Sequence, residues 1–331
     1  MNNIRQALCK ICGSETDELI ISSIAGEFDT YDVFYCRGCA VGITTPVPTT
    51  EELKKLYTVG SYREKTGKRF IPFVENFILY FRHMRKNRIK KYIKTGRILD
   101  IGCGRGLFLN VMKEDGWEVS GVEFDEAAAS NAASYYGIEV ISGEPQTWRF
   151  APASFDVITL NHVLEHIPNP KELIQACHTL LKSNGLLIIA VPNLDGIQSK
   201  AGRKNWFHLD VPYHLYHFSD KGISSLLTAV SFNIDRKRHF DLEYSPFGWL
   251  QTLLNITGVQ RNMLYELLKA PRRWKSALIA ARLRDVILTA LLVPLYTSLS
   301  MVFSLFESFV AGRGGIVELY ALKAEVQDDT K

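Results

Sequence analysis

The chain has 331 residues, 47% of them apolar and 22% charged, the composition of an ordinary folded protein about two domains long. That excludes a disordered, collagen-like or disulfide-scaffold chain, and 39 basic against 35 acidic residues leave a net charge of +4 that names no partner. Charge is informative only locally: Lys54–Arg97 holds fourteen Lys and Arg against Glu64 and Glu75, and Lys269–Arg284 holds six with no acid.

The first residues, MNNIRQALCKICG, lack the apolar run of a secretory leader, so a reducing cytoplasm is the expected compartment. Cys9-Lys-Ile-Cys12 is followed after 23 residues by Cys36-Arg-Gly-Cys39. Two such pairs supply four thiolates for a closed tetrahedral zinc site. Strand-like sequence at Leu19–Ile24 and Tyr31–Tyr35 brings the pairs together. Residues 1–48 are therefore expected to form a zinc ribbon, with metal providing much of its folding free energy. No ligand position stays open, so this zinc is structural. Thr49 with Glu52 reads as a capping box opening a helix to Tyr57. A second helix is expected from Phe70 to Lys94, ended by Gly96, making 49–96 a basic helical linker.

From Arg97 the pattern alternates strand and helix. Strands are expected at Ile98–Ile101, Glu118–Val122, Glu139–Ile141, Val157–Leu160 and Leu186–Val191, with helices at Leu107–Asp115, Glu126–Tyr136 and Pro170–Lys182. A helix at Asp220–Val230 and a strand at Asn233–His239 carry this core to residue 240. The alternation predicts an α/β fold, a Rossmann-like open parallel sheet with helices on both faces. Where the first strand meets the first helix stands Asp100-Ile-Gly102-Cys-Gly104-Arg-Gly106. Glycines at alternate positions let the backbone turn sharply and approach a ligand. Glu123 ends the second strand, placed for both hydroxyls of a ribose, and Phe124 beside it can stack on a base.

The spacing is Gly-x-Gly-x-Gly behind an Asp, not the Gly-x-Gly-x-x-Gly of a pyrophosphate site. Together with Ser154–Ile158, Asn161–His166 and Leu180–Leu187 it resembles the class I S-adenosylmethionine (SAM) dependent methyltransferases. The resemblance implies S-adenosyl-L-methionine as cofactor. Asp100, Gly102 and Gly104 would then line its methionine end, with Gly106 completing the loop. Glu123 would hold the ribose, Phe124 would flank the adenine, Gly143 and Glu144 would lie near the exocyclic amine, and Asn161 would meet the cofactor from the fourth strand. Cys103 and Cys177 read as packing residues and Asp156 as a strand anchor. A zinc ribbon ahead of such a domain, and the join PVPTTEELKKLY with Gly60-Ser61-Tyr62, are similar to bacterial sugar C-methyltransferases. That likeness implies a sugar or lipid-linked glycan acceptor. Zinc ribbons also precede some ribosomal RNA methyltransferase domains.

Methyl transfer to a hydroxyl requires positioning and a base. The segment Trp206–Ser219, after the fifth strand, offers His214 as first candidate base, with His217, Tyr213 and Asp210 to orient it. Sugar C-methyltransferases carry a Tyr-His-x-His run in this region. His214 matches its second His, but Val211 stands in place of the Tyr, so O-methylation is expected over C-methylation. His162 and His166, flanking Glu165, read as structural.

Residues 241–313 read as a helical insert before a final core strand at Gly315–Lys323, within 314–331. Val286–Val310 spans 25 residues with one charge, Glu307, and with Pro294 inside, enough to cross a bilayer. Both flanking strands belong in one sheet, however, so both ends must return to the same side. On a helical wheel Leu295, Leu299, Val302, Phe303, Phe306 and Val310 share one face, with Thr297, Ser300, Ser304, Glu307 and Ser308 opposite. Beside Arg272, Arg273, Lys275, Arg282 and Arg284, this predicts an interfacial helix, peripheral or monotopic on the inner membrane's anionic cytoplasmic leaflet. A helical cap buried in the protein or in a dimer is the alternative.

The leading expectation is thus a methyltransferase acting on a sugar or lipid-linked glycan at the membrane surface. O-methylation of a prenylated phenol or quinone precursor is the second, since a greasy tail also suits the insert. Nucleic acid is disfavoured: no Asn-Pro-Pro-Tyr motif is present and an apolar run has no use on RNA. A SAM-binding scaffold of a membrane assembly is the non-enzyme alternative.

Overall fold

A two-residue spacer between cysteines lets the chain reverse around a pair of sulfurs, so each Cys-x-x-Cys segment forms a hairpin turn. The computed structural model describes residues 7–16, 18–26, 29–49, 51–53, 55, 70–124, 126–269 and 282–324. Strands β1 (Ala7–Leu8) and β2 (Glu15–Thr16) pair antiparallel around the first turn. Strands β4 (Thr30–Cys36) and β5 (Val41–Thr45) pair around the second, and β3 (Glu18–Ala25) lies along β4. Ile24, Tyr31 and Val33 of this ribbon bury against Leu194, Trp206, Leu209 and Val211. The ribbon belongs to a unit made of residues 1–81, 192–220 and 238–317; residues 82–191, 221–237 and 318–331 make a second unit.

The capping box is in place. The Thr49 N–H donates to Glu52 Oε2 at 2.7 Å, and the Glu52 N–H donates to Thr49 Oγ1 at 3.2 Å. The end of that helix at Tyr57, the Gly60–Tyr62 join, and Arg272, Arg273 and Lys275 lie outside the described residues. Helix α1 runs Pro72–Ile89, shorter than the basic pattern suggested. Its charges serve the fold: Lys86 and Lys90 both bond Asp115, at 2.8 and 2.6 Å, and Arg88 reaches Glu318 at 3.5 Å. Arg85 is buried with its guanidinium 5.4 Å from the centre of the Phe108 ring. Much of the basic charge on this helix is therefore engaged within the fold.

The second unit is built on β6 (Arg97–Ile101), β7 (Glu118–Glu123), β8 (Glu139–Ser142), β9 (Phe155–Asn161), β10 (Leu181–Pro192), β12 (Phe232–Arg238) and β13 (Ile316–Lys323). They form one sheet in the order β12-β13-β10-β9-β6-β7-β8, parallel at β7/β8, β6/β7, β6/β9 and β9/β10. Both faces of the central strands are covered, which is why their apolar runs are continuous. Ile98, Leu99, Ile101, Val157, Ile158 and Leu160 are all fully buried. Helices α2 (Leu107–Glu114), α3 (Glu126–Tyr136), α4 (Pro170–Leu180) and α6 (Asp220–Thr228) belong to the same unit. Asp156 anchors β9 as expected, accepting the Arg97 N–H at 2.8 Å and pairing with Lys182. The chain leaves β6 toward β7 on one side and meets β9 on the other, and an open sheet binds ligands outside the carboxyl ends at such a switch point.

In the first unit, α5 (Ile197–Gly202), α7 (Ser245–Ile256), α8 (Met263–Leu268) and α9 (Leu283–Leu305) follow the ribbon. Several short elements, β1, β2, β5 and α5 among them, have no counterpart in the elements expected from the sequence; the one that matters for the candidate bases is β11 (Tyr216–Phe218), which pairs antiparallel with β5, His217 opposite Gly42. The insert packs through Leu250, Leu254 and Val259, joined by Leu288, Leu292 and Val293 of α9. Ser300, Ser304, Glu307 and Ser308 turn inward, whereas Leu295, Val302, Phe306 and Val310 are exposed. Of the two faces expected on the wheel, Thr297 departs from the polar one by lying exposed, and Phe303 from the apolar one by packing its ring 5.2 Å from Trp249.

Candidate cofactor and metal sites

The chain leaves β6 at Gly102 with φ +72°, where a Cβ would run into Val163 Cγ2. Only glycine fits such a turn without strain. Gly104, at φ +54°, has open space on its Cβ side, and Gly106 begins α2 at φ +74°. Glu123 closes β7 with 1% of its surface exposed. Its carboxylate accepts the N–H of Gly104 and that of Phe124, both at 2.8 Å. The acid is thus tied to the glycine loop by the loop's own backbone, and Phe124 next to it is half-buried.

Asp100 stands opposite Thr159 across β6 and β9 and accepts its hydroxyl at 2.5 Å. Burial pushes the Asp100 carboxyl up to about 6, against the pull of Thr159, Arg85 and Arg82. Asn161, at the carboxyl end of β9, has both side-chain polar atoms shielded from water and, among the described residues, without a partner. A shielded amide without partners is costly in a finished fold. A ligand reaching the carboxyl end of β9 would supply the missing donor and acceptor. After β8, Gly143 turns at φ +107°, Trp148 Nε1 donates to its carbonyl at 3.1 Å, and Thr147 Oγ1 donates to the Glu144 carbonyl at 2.8 Å. The Glu144 side chain is exposed.

All nine expected cofactor residues therefore lie in one unit, at the carboxyl side of β6, β7, β8 and β9. A bare glycine loop, an acid at the end of the second strand and an orphaned amide fit a nucleoside carrying an amino-acid tail. Thr159, Arg82 and Arg85 escaped the sequence reading. Arg82 and Arg85 share one face of α1 at a spacing of three, a signal hidden inside a longer basic run. Thr159 shares a strand face with Asn161 but declares itself only through its cross-strand partner.

The expected acceptor-side residues lie in the other unit. His217 is buried on β11 with Nε2 3.0 Å from Thr44 Oγ1, whose hydroxyl donates to the His214 carbonyl at 2.6 Å. That bond uses the only Thr44 proton, so the hydroxyl accepts from His217 and fixes the tautomer carrying hydrogen on Nε2. His214 is buried and Tyr213 half-buried. His162 Nδ1 lies 3.4 Å from Glu165 Oε1, consistent with a structural role.

The four N-terminal cysteines converge. Cys9 and Cys39 sulfurs are 3.5 Å apart, those of Cys12 and Cys36 3.4 Å, and all four lie within 4.8 Å of one another. These spacings exclude disulfides and lie near the roughly 3.8 Å between sulfurs bonded tetrahedrally to zinc at about 2.3 Å. Each turn is closed by its own backbone, Gly13 N–H to Cys9 O at 2.7 Å and Ala40 N–H to Cys36 O at 2.8 Å. Burial pushes the Cys36 thiol up, and contact with Cys9, then burial, does the same for Cys39. A divalent cation binding here would displace those protons.

A family model described as "Methyltransferase domain" matches residues 62–237. The ubiquinone biosynthesis O-methyltransferase of Stutzerimonas stutzeri is 34% identical over 119 residues, 33% of this chain and 51% of that one. Its namesake from Pseudomonas aeruginosa is 36% identical over 104 residues, 29% of this chain and 44% of its own. The chain thus spans about half the length of the curated relatives it matches. A putative sarcosine dimethylglycine methyltransferase from Galdieria sulphuraria overlays with a TM-score of 0.50 at 14% identity, covering 74% of this chain and 86% of that one. At that identity the likeness speaks for the fold alone.

Proposed function

The chain belongs to the class I SAM-dependent methyltransferases, and from that membership we propose that it O-methylates a small phenolic acceptor of the quinone-precursor type. The acceptor is supported by the names of relatives about one third identical. The sugar or glycan reading rested on likeness to ribbon-bearing enzymes, and no relative described above favours it. The orphaned Asn161 amide carries the cofactor assignment. An intact glycine loop with Glu123 in place argues against a scaffold that has lost its chemistry.

SAM, when bound, supplies an electrophilic methyl on its sulfonium. Asp100 would hold the ammonium of the methionine end, with Gly102, Gly104 and Gly106 giving the backbone room to approach. Glu123 would take the ribose hydroxyls, Phe124 an adenine face, Gly143 and Glu144 the exocyclic amine, and Asn161 the remaining polar edge. His214 would accept the proton of the acceptor's hydroxyl as that oxygen takes up the methyl and S-adenosylhomocysteine leaves, with His217 and Tyr213 orienting it. Cys9, Cys12, Cys36 and Cys39 would hold a structural zinc. The proposed setting is the cytoplasm at the membrane surface, where a tail-bearing phenol partitions.

The test is turnover with SAM against prenyl-tailed catechols, nucleotide sugars and lipid-linked glycans, following S-adenosylhomocysteine and the mass of the product. Methyl ether formation on the catechol is expected, with His214→Ala at least 100-fold slower and its SAM affinity unchanged within twofold. Turnover of a glycan and not of any phenol would overturn the acceptor.

A further inference from the structure

Helix α9 continues through a wide turn at Phe306–Val310. In a water-soluble fold a surface helix buries its apolar stripe and shows its polar face to solvent. Near its start this helix follows that rule, with Leu288, Leu292 and Val293 packed inward, but its second half is reversed. Ser300, Ser304 and Glu307 are buried at 1%, 0% and 0% exposure, while Leu291, Leu295, Val302 and Phe309 are exposed at 69%, 57%, 59% and 72%. The inward serines return their hydroxyls to their own helix, Ser300 to Thr297 O at 2.8 Å and Ser304 to Met301 O at 3.0 Å. They contribute small volume to a close helix contact, the packing habit of helices whose surroundings are apolar. Glu307 is satisfied inside the protein, accepting the N–H of Gln198 at 3.1 Å and of Gly315 at 2.8 Å.

Both ends of the helix are fastened to the same unit. Near its start Asp285 and Thr289 are buried, Thr289 Oγ1 3.8 Å from Met263 Sδ; at its end stand the two Glu307 bonds. Its flank lies on α7 through Phe303 and Trp249. A helix held this way lies along the unit and offers one face outward, so it does not cross a bilayer. That face is apolar over most of its length, with Thr297 and Ser298 its exposed polar side chains. Arg282 and Arg284 are exposed where it begins, in a stretch with six basic residues and no acid. Lys269, the first of the six, is engaged by Glu266 at 2.6 Å. On the same unit α1 exposes Phe73, Phe77 and Tyr80, aromatic residues suited to the level of lipid headgroups.

We propose that α9 lies in the surface of an anionic bilayer, its Leu291–Leu295–Val302–Phe309 face among the acyl chains and Arg282 and Arg284 at the headgroups. This deepens the membrane setting given above and is independent of which acceptor is methylated. The test is co-sedimentation of the full chain with phosphatidylcholine vesicles, with and without phosphatidylglycerol, at 0.15 M salt (about an 8 Å Debye length). Wild type is expected to partition into anionic vesicles. Leu291→Glu/Leu295→Glu/Val302→Glu, whose sites are exposed, should partition at least tenfold less while unfolding at the same denaturant concentration. Arg282→Gln/Arg284→Gln should lose severalfold on anionic vesicles only. Wild type that stays in the supernatant, or a triple variant that sediments equally, overturns the proposal. So does a wild-type dimer that the triple variant splits, since the face would then belong to a second copy. Turnover of a water-soluble catechol should not differ between wild type and triple variant. Absence of turnover in both, beside a clear difference in sedimentation, would sink the acceptor reading and leave the bilayer surface standing.

Discussion

Asp100 is a carboxylate held out of water, and its ionisation is costly until a cation arrives. Its folded pKa of about 6 exceeds the roughly 4 of an unfolded chain. The stability it contributes is therefore complete below about pH 4 and is lost as pH rises through about 6. At pH 7.5 the ionised group costs roughly 3 kcal/mol, which the ammonium of a bound methionine moiety would offset. SAM affinity is expected to rise about tenfold from pH 5 to 7.5 as the ionised fraction grows, measured by calorimetric titration. Asp100→Asn should bind weakly at both ends; a flat wild-type profile would mean that the ammonium is held elsewhere. Gly102 and Gly104 separate two needs that the motif merges. Gly102→Ala combines a left-handed φ with collision on Val163, so a loss of roughly 2–4 kcal/mol in denaturant unfolding is expected. Gly104→Ala faces open space and should cost only about 1–2 kcal/mol, its larger effect falling on SAM affinity. The loop was legible because its residues are contiguous, and Glu123 because it ends the next strand; Thr159 and Arg85 were not, because their roles exist only in contacts between elements distant in sequence.

Between elements, the joining of β5 to β11 changes what the ribbon is for. The second knuckle, Cys36–Cys39, leads directly into β5, whose Thr44 holds the His214 carbonyl and the His217 ring, while the Thr44 N–H donates to Leu215 O at 3.1 Å. A metal held by the four cysteines would thus close the hairpin on which the candidate bases hang. Removing it with a strong chelator is expected to lower hydrogen-exchange protection of Thr44 and Tyr216–Phe218 at least tenfold, while Ile98–Ile101 stays protected. Unchanged protection in β5 would show that the ribbon folds without metal. Thr44→Val leaves two buried polar groups without their partner, and a loss of about 1–3 kcal/mol in unfolding is expected. The parallel strands could be read in advance because burial on both faces makes uninterrupted apolar runs. A three-residue strand inside an aromatic and histidine loop, paired with residues 41–43, leaves no periodic trace. The wheel of α9 likewise separated its faces, but only the positions of Gln198, Gly315 and Trp249 decide which one turns inward.

At the scale of the molecule the chain visits each unit three times, so the linear segments that the sequence suggests are not separable pieces. The last strand makes the point. β13 is seventy-odd residues downstream of β12, yet the sheet seats it between β12 and β10. Its Ile316, Val317, Leu319, Tyr320 and Ala321 are at most 2% exposed, and Tyr320 stacks on Tyr92 of the same unit at 5.3 Å. Burying four large apolar side chains at about 1.5–3 kcal/mol each contributes roughly 6–12 kcal/mol, as much as the whole net stability of an ordinary domain. A chain ending at Phe240 retains every cofactor residue, the glycine loop and the ribbon, and by motif alone should bind SAM. The sheet order predicts otherwise: without β13 the slot between β10 and β12 stands open, leaving unpaired strand edges and bare apolar surface. Such a chain is expected to show no cooperative thermal transition by circular dichroism and no SAM binding by calorimetry. A truncated protein that melts cooperatively and binds SAM would mean that the six preceding strands suffice, and that β13 serves only to return the chain from the insert.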